Sequence, residues 1–417
     1  MRTLFALAVL VIAAPAAWAG GGIEIDEHSA PGVGMAGAQT AIADDPAAIY
    51  YNPAGIGFQP GFGVLAGGDL IIARTHVSPD NLTLWHPAFE PTLFISQRVG
   101  KHFAFGLGLF SEFGEHFEYP PDWRGRFLGY MIDVTTATIN PTIAIRPLSW
   151  LSIGGGFDIV PASIEIFRGI NFGGGEGNVH IGANDVGIGG NFGILVELVP
   201  HRLNFGFSYR SRVDLDLTGH AAISAPPELR SMTGGLQTAR TSLVLPHHFS
   251  VATGFFSGHF KADAELKVSI WRDLQQLQVT LTDPSAPPGT PPTVDTVPLL
   301  LHNSWSIRAG AQYGIGEHQR VRVRLGAGYD ATPLPLSTLA PLLPDTSRVL
   351  VSAGVGLHWS WLDLDLGYMA VILIKETSQN PDLIATYQSF GQVISGSATL
   401  RFEHWLQAAQ PRPAEEP

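Results

Sequence analysis

The stretch Leu203-Asn204-Phe205-Gly206-Phe207-Ser208-Tyr209-Arg210-Ser211-Arg212-Val213-Asp214-Leu215-Asp216-Leu217 alternates with a period of two. Leu203, Phe205, Phe207, Tyr209, Val213, Leu215 and Leu217 form one row; Asn204, Ser208, Arg210, Arg212, Asp214 and Asp216 form the other. Successive side chains of a strand point to opposite faces, so this is a β-strand with one apolar and one charged face. Ser304 to Tyr313 repeats the pattern with Trp305, Ile307, Ala309, Ala311 and Tyr313, and Val321 to Tyr329 with Val321, Val323, Leu325, Ala327 and Tyr329. The opposite rows carry Arg308, Arg322 and Arg324, and Leu362 to Tyr368 adds Asp363 and Asp365. Burying such charges in hydrocarbon is prohibitive. The pattern therefore predicts acidic and basic rows paired inside a lumen.

Trp305 and Tyr313 close the two ends of one apolar row, and after strand tilt their spacing approaches the ~25 Å apolar band between the aromatic girdles of a membrane barrel. Outward from these segments, strand-like runs recur near Phe62, Phe89, Phe103, Thr136, Ile153, Gly187, Leu203, Val244, Ala262, Ser304, Val321, Leu350, Leu362 and Val393. They number about 14, an even count that suits a closed antiparallel barrel. Their connections alternate between long and short. Val77 to Pro87, Glu115 to Gly129, Gly169 to Ala183, Gly219 to Arg240, the Pro-rich Asp283 to Pro298 and Thr332 to Thr346 read as long loops. Val99 to His102, Arg146 to Trp150, Pro200 to Arg202, Ser257 to His259 and Gly316 to His318 read as tight turns. That rhythm predicts a multi-pass barrel in the bacterial outer membrane, with long extracellular loops and both termini in the periplasm.

The chain begins Met1-Arg2, continues through apolar Leu4 to Ala14 and reaches Ala17-Trp18-Ala19, the layout of a secretory signal peptide. Cysteine is absent, which excludes disulfides, thiol nucleophiles and cysteine-ligated metals. A net charge of -12 argues against a nucleic-acid partner. Charged residues make up only 14% of the chain beside 48 glycines, which points to much surface outside water. No charged or low-complexity linker divides the mature chain. A general porin and a soluble secreted β-protein are the competing readings of another class.

Residues 20–60 do not alternate, are rich in Gly and Ala, and hold Asp44-Asp45-Pro46 before Ala47 to Tyr51, a pattern for a short capped helix. Glu27-His28-Ser29-Ala30-Pro31-Gly32-Val33-Gly34, Ala41-Ile42-Ala43-Asp44-Asp45 and Tyr51-Asn52-Pro53-Ala54-Gly55 together resemble the hatch of the FadL family of outer-membrane transporters. Further resemblance lies in Tyr209-Arg210-Ser211, Leu245-Pro246, Trp271 with Leu274-Gln275-Gln276-Leu277, Tyr329-Asp330-Ala331-Thr332-Pro333-Leu334-Pro335, Pro344-Asp345-Thr346-Ser347-Arg348 and Ser352-Ala353-Gly354. The resemblance covers essentially the whole mature chain. It implies an all-β, 14-stranded antiparallel transmembrane barrel with a small helical hatch in its lumen, and passive transport of long-chain fatty acids. Aromatic hydrocarbons or alkanes are the alternative cargo. The expected divisions are 1–19 signal peptide, 20–60 hatch, 61–405 barrel and 406–417 disordered periplasmic tail.

In such relatives a lateral opening lies at a kink in the third strand, and the matching stretch is Ser111-Glu112-Phe113-Gly114-Glu115, with Phe113 and Gly114 as candidates. Glycine inside a strand often marks a bend. The following loop holds Phe117, Tyr119, Pro120, Pro121, Trp123, Phe127 and Leu128, too apolar for an idle surface loop, and reads either as a ligand-capture surface or as a self-packed cap. Ile23 and Asn52-Pro53-Ala54 are the hatch elements expected nearest the ligand path. Fatty-acid transporters are expected to carry basic residues in the fifth and ninth strands, where this chain has Ile166 and Gln278. Arg168 shares a face with Ile166 and is the candidate partner for a ligand carboxylate. His247-His248 beside Ser250 lacks an oriented acid and, by alternation, splits its histidines between faces, so no enzyme is expected. No cofactor and no metal site is expected. The expected partners are a hydrophobic small molecule, outer-membrane lipids and lipopolysaccharide, with the chain a monomer.

Overall fold

Where the alternation predicts strands, hydrogen-bonded ladders form, and each strand pairs with its sequence neighbours. The computed structural model describes residues 24–228, 235–287 and 289–402. The predicted signal peptide, Ile23 and the tail from residue 406 lie outside the described residues. Among the described residues, fourteen antiparallel strands make one sheet. They are β1 (Phe62–Ser78), β2 (Leu82–Val99), β3 (Phe103–Phe110, resuming as Gly114–Glu118), β4 (Met131–Thr136 and Thr138–Leu148), β5 (Leu151–Asn171), β6 (Glu176–Val199) and β7 (Leu203–Arg210 and Val213–Ser224). The ring continues with β8 (Gln237–Leu245 and His247–Ser257), β9 (Phe260–Ile270 and Gln276–Thr282), β10 (Thr293–Pro298 and Ser304–Ile315), β11 (Val321–Asp330), β12 (Arg348–His358), β13 (Leu362–Leu373) and β14 (Thr386–Phe402). β1 pairs with β14 from Phe62 opposite Phe402 to Ser78 opposite Thr386. That ladder closes the sheet, and closure satisfies backbone groups that an open edge would leave bare.

The strands are longer than the apolar band, and their polarity inverts along their length. In β5, Ser152, Gly154 and Asp158 face inward while Ile153, Phe157 and Ile159 are exposed outside; farther along, Val160, Ala162, Ile164 and Ile166 turn inward and Ser163 and Glu165 outward. β7 makes the same exchange with a break. Phe205 is exposed and Asn204 and Arg210 are buried, but beyond Ser211-Arg212 it is Val213, Leu215 and Leu217 that are buried and Asp214 and Asp216 that are exposed. The expectation of one continuous apolar face over Leu203 to Leu217 is thus corrected. Two residues without a ladder reverse which parity points inward, as a bulge does. The half of the ring nearer the short turns is apolar outside, as hydrocarbon demands; the half nearer the long connections is apolar inside.

This inversion also corrects two predicted loops. β1 and β2 run on to Ser78 and from Leu82, and β5 and β6 run on to Asn171 and from Glu176, so Val77 to Pro87 and Gly169 to Ala183 are mostly strand with tight turns. The Pro-rich Asp283 to Pro298 likewise contains the start of β10. Outside the membrane band the polar and apolar rows change places, which obscured these strand ends. Trp305 and Tyr313 both project outward and are about half exposed.

Residues 24–58 lie inside the ring. The one-turn helices α1 (Ala30–Val33) and α2 (Ala48–Tyr51) are followed by a 3-10 turn over Pro53–Gly57. The Ser29 hydroxyl accepts from Gly32 N at α1, whereas α2 has no side-chain cap and Asp45 instead accepts from Ala47 N at 2.8 Å. Contacts reach opposite sides of the ring. Ala41 N and Ile42 N donate to Asp263 of β9, Asn204 of β7 donates to Ala41 O, Asn52 donates to Ile194 O of β6, and Ser152 of β5 donates to Ala54 O. A segment touching all these strands fills the lumen at that level. Wall glycines admit it: a Cβ on Gly193 would fall 2.1 Å from Asn52 Oδ1, and one on Gly310 would fall 2.5 Å from Met35 Cβ. Charged rows pair in the same lumen, with Arg324 2.6 Å from Asp365 and Arg322 3.5 Å from Asp363.

Candidate functional site: an apolar cavity beside a break in the wall

The inverted half of the ring surrounds an apolar cavity that is partly open to solvent. Ile132 and Val134 of β4, Ile164 and Ile166 of β5, Leu243 of β8 and Leu277 and Val279 of β9 supply its wall, and Trp271 and Leu274 its floor side. Leu128 from the connection after β3 and Leu342 and Leu343 from the connection after β11 close over it. A cavity lined almost wholly by hydrocarbon suits a small apolar ligand. A second, smaller pocket lies against residues 24–58 and is polar, lined by Asp26, Glu112, Arg210, Lys267 and Arg308 among others.

The break in β3 separates the two. The ladder between β3 and β2 ends at Leu109 opposite Leu93, and Gly114–Glu118 pairs only with β4, so no ladder joins Leu82–Thr92 to the resumed strand among the described residues. Ser111, Glu112 and Phe113 turn inward there and are buried. Thr136 of β4 fixes the turn, since its hydroxyl lies 3.2 Å from Phe113 N and 2.5 Å from Phe113 O while its carbonyl accepts from the Ser111 hydroxyl. Arg210 holds Glu112 at 3.2 Å and Asp158 at 2.6 Å. The Phe113 ring stands edge-on to Trp271 at 6.3 Å and stacks with His248 at 5.9 Å, so it divides the apolar cavity from the polar pocket.

The start of the lumen segment docks on this break. Ile25 N donates to Glu112 O at 2.7 Å, and Glu24 bridges Phe113 in antiparallel fashion. Lys267 of β9 pairs with both Glu24 and Asp26; Arg308 of β10 pairs with Asp26 at 2.6 Å, Glu27 at 3.1 Å and Asp330 at 2.8 Å. Burial pushes the Glu27 carboxyl up to about 7 although Arg308 opposes it. Burial, assisted by Arg210, lowers His28 to about 3.

The candidate residues fall into three groups. Phe113 and Gly114 are at the break, but the turn is made by Ser111 to Phe113 and Gly114 only starts the resumed strand. Phe117 lies in the resumed strand of β3 and not in the loop that follows; with Tyr119 and Trp123 it is 1%, 1% and 6% exposed in that order, and the three stack in sequence, so they face the interior and are not presented to solvent. Phe127 is half-buried under the Arg126 guanidinium. Asn52, Pro53 and Ala54 pack on β5 and β6, away from the break; with Ile23 outside the described residues, Glu24 and Ile25 are the residues that meet it. Ile166 faces the cavity, whereas Gln278 is exposed outside. Arg168 does line the cavity, already paired with Asp295 at 2.6 Å. His247 and His248 split between faces: the first meets Tyr209 outside, and the second is buried beside Ser269, Glu24 and Glu112.

The sequence reading missed Glu24 to Glu27, Glu112, Asp158, Lys267 and Asp295. For the barrel members the available signal was a charge at inward parity in a strand, the signal already used for Arg308 and Arg324.

Residues 10–402 match the family model described as outer membrane protein transport protein (OMPP1/FadL/TodX). The long-chain fatty acid transport protein of Salmonella typhi is 27% identical over 400 residues, covering 85% of this chain and 88% of the relative. The 47 kDa outer membrane protein of Pasteurella multocida is 26% identical over 443 residues, covering 96% and 98%. Among solved structures, a Pseudomonas aeruginosa FadL homologue superposes with a TM-score of 0.82 at 20% identity, covering 91% of this chain and 99% of that one. The P. putida toluene transporter TodX superposes with a TM-score of 0.73 at 16% identity, covering 91% and 100%.

Proposed function

This chain belongs to the OMPP1/FadL/TodX family of outer membrane transport proteins, and on that premise we propose that it passes hydrophobic small molecules, long-chain fatty acids or hydrocarbons, through the outer membrane by passive diffusion. The observation that carries this reading is the apolar cavity set beside a break in the barrel wall. Burying hydrocarbon there contributes roughly 25 cal/mol per Å² removed from water, enough to draw a ligand in without an energy source.

The route runs from the long-connection end, taken as extracellular, past the cap of Tyr119, Trp123, Phe127 and Leu128 and the wall residue Phe117 into the cavity. It leaves past Phe113 and Trp271 toward the unpaired edges of β2 and of the resumed β3. Residues 20–60 act as the hatch that denies a straight path through the lumen, and residues 61–405 form the barrel. The short turns and both termini face the periplasm, after removal of residues 1–19. The exposed outer rows meet membrane lipids, with lipopolysaccharide in the outer leaflet, and the chain works as a monomer and not as an enzyme.

The test is uptake of labelled oleate and of toluene by a strain deleted for the gene and by the same strain complemented. Complementation is expected to raise the initial uptake of at least one of them several-fold. Equal uptake of both compounds in the two strains would remove the proposal.

A further inference from the structure

Arg168 and Asp295 are the charged residues among those lining the cavity; the others named around it are apolar. They belong to β5 and β10, with β6 to β9 between them in the ring, so their 2.6 Å contact reaches across the lumen. Both lie on the inward parity of their strands, beside Ile166 and Val297. An arginine alone in an apolar cavity would draw in any anion of suitable shape, because its charge is desolvated and its donors lack a partner. Here the partner is built in, and the cavity carries no net charge.

We propose that Asp295 sets the charge of the ligand: by occupying Arg168 it makes the cavity select neutral hydrophobic molecules over carboxylates of the same chain length. A carboxylate has to displace Asp295 from Arg168 and leave it facing like charge, whereas an alkane, an arene or an alkanol enters without disturbing the pair. The displacement is feasible, since the two side chains remain 27% and 33% exposed and Asp295 can swing toward water. Their contact is therefore a bias and not an absolute bar. Asp295 thus determines specificity while Arg168 is its fixed counter-charge. This inference rests on the reading of the cavity as the ligand site.

The experiment is calorimetric titration of the full chain, held in an amphipathic polymer near neutral pH, with dodecanol and with laurate, which share a chain length and differ in charge. The wild type is expected to bind dodecanol more tightly than laurate. Asp295→Asn keeps the shape and removes the counter-charge, and should tighten laurate roughly five- to tenfold while leaving dodecanol within about twofold. Adding Arg168→Gln to Asp295→Asn should abolish the laurate gain. Laurate binding as tightly as dodecanol in the wild type, or no laurate gain in an Asp295→Asn chain whose circular dichroism is native, overturns the proposal. Asp295→Ser repeats the test should the first variant not fold. A wild type that binds neither compound overturns the ligand-site reading itself, whereas dodecanol binding with no laurate response to Asp295→Asn removes the counter-charge role alone.

Discussion

At the residue scale, the side chains that matter most are charges buried where hatch and wall meet. Arg308 is 5% exposed and holds Asp26, Glu27 and Asp330 together. Removing one partner of a buried ion cluster leaves the others desolvated and uncompensated, at a cost of about 3–5 kcal/mol. Arg308→Met is therefore expected to release residues 24–34 while the strands stay folded, seen as loss of amide protection confined to those residues. Protection unchanged in the hatch would mean the cluster does not hold it. Two neighbours give the docking a pH dependence. Glu27, raised to about 7, favours the docked hatch fully below its ordinary value and loses that contribution as pH rises toward 7. His28, lowered to about 3, contributes fully above its ordinary value near 6.5 and loses it as pH falls. Glu27→Gln should shallow the loss of protection as pH rises from about 4.5 to 7, and His28→Phe should shallow its loss as pH falls below about 6.5. Of this cluster the sequence made Arg308 legible, through strand parity. Asp330 ends the periodic strand β11, but Asp26 and Glu27 sit in a segment without periodicity, and nothing local says which strand they meet. Asp295 was hidden because proline and the exchanged polarity made Thr293–Pro298 resemble a loop.

At the element scale, β3 and the inverted strands explain how a barrel can offer an apolar interior without losing its apolar exterior. The Phe113 ring is held between Trp271 and His248 by a turn that Thr136 fixes. Phe113→Ala should open the cavity toward the unpaired edge of β2 and speed ligand dissociation several-fold, measured by stopped-flow displacement; an unchanged rate would put the exit elsewhere. Placement along a strand matters as much as which face a residue occupies. Leu325 is 69% exposed on the outer face of β11, within the apolar band, whereas Asp216 is exposed on the outer face of β7 beyond it. Leu325→Arg is expected to lower unfolding free energy in bilayers by about 2–4 kcal/mol, and Asp216→Lys to change it by less than about 1 kcal/mol. Counting period two found the strands but not where β2, β6, β8, β10 and β14 begin, since these start at Leu82, Glu176, Gln237, Thr293 and Thr386, well before the runs it recognised. It did not find the inversion, because Ser211-Arg212 keeps the odd positions apolar while reversing the direction in which they point.

At the scale of the whole molecule, closure and blockage are independent, and their independence can be tested. The ring is closed by β1 against β14, which needs nothing from residues 24–58. The hatch occupies a lumen whose wall is charged and polar at that level, with Asp263, Glu265, Lys267, Arg308 and Arg324 all turned inward. Delete residues 24–58 and those groups face one another across an empty lumen. Desolvated charges would then be hydrated at once, so the lumen fills with water and the barrel gains a conducting path. In planar bilayers the full chain should be electrically silent, because the lumen segment spans the ring and wall glycines such as Gly193 and Gly310 leave no room beside it. The shortened chain should show discrete current steps that diminish when salt is lowered. Gly193→Val should fall between the two, since its side chain would overlap Asn52 and push the hatch off β6 without removing it. Steady open-channel currents from the full chain would instead mean that water passes the hatch as it stands. A wet, uninterrupted lumen makes a general porin, and a hydrophobic ligand would then have no need of the break in the wall.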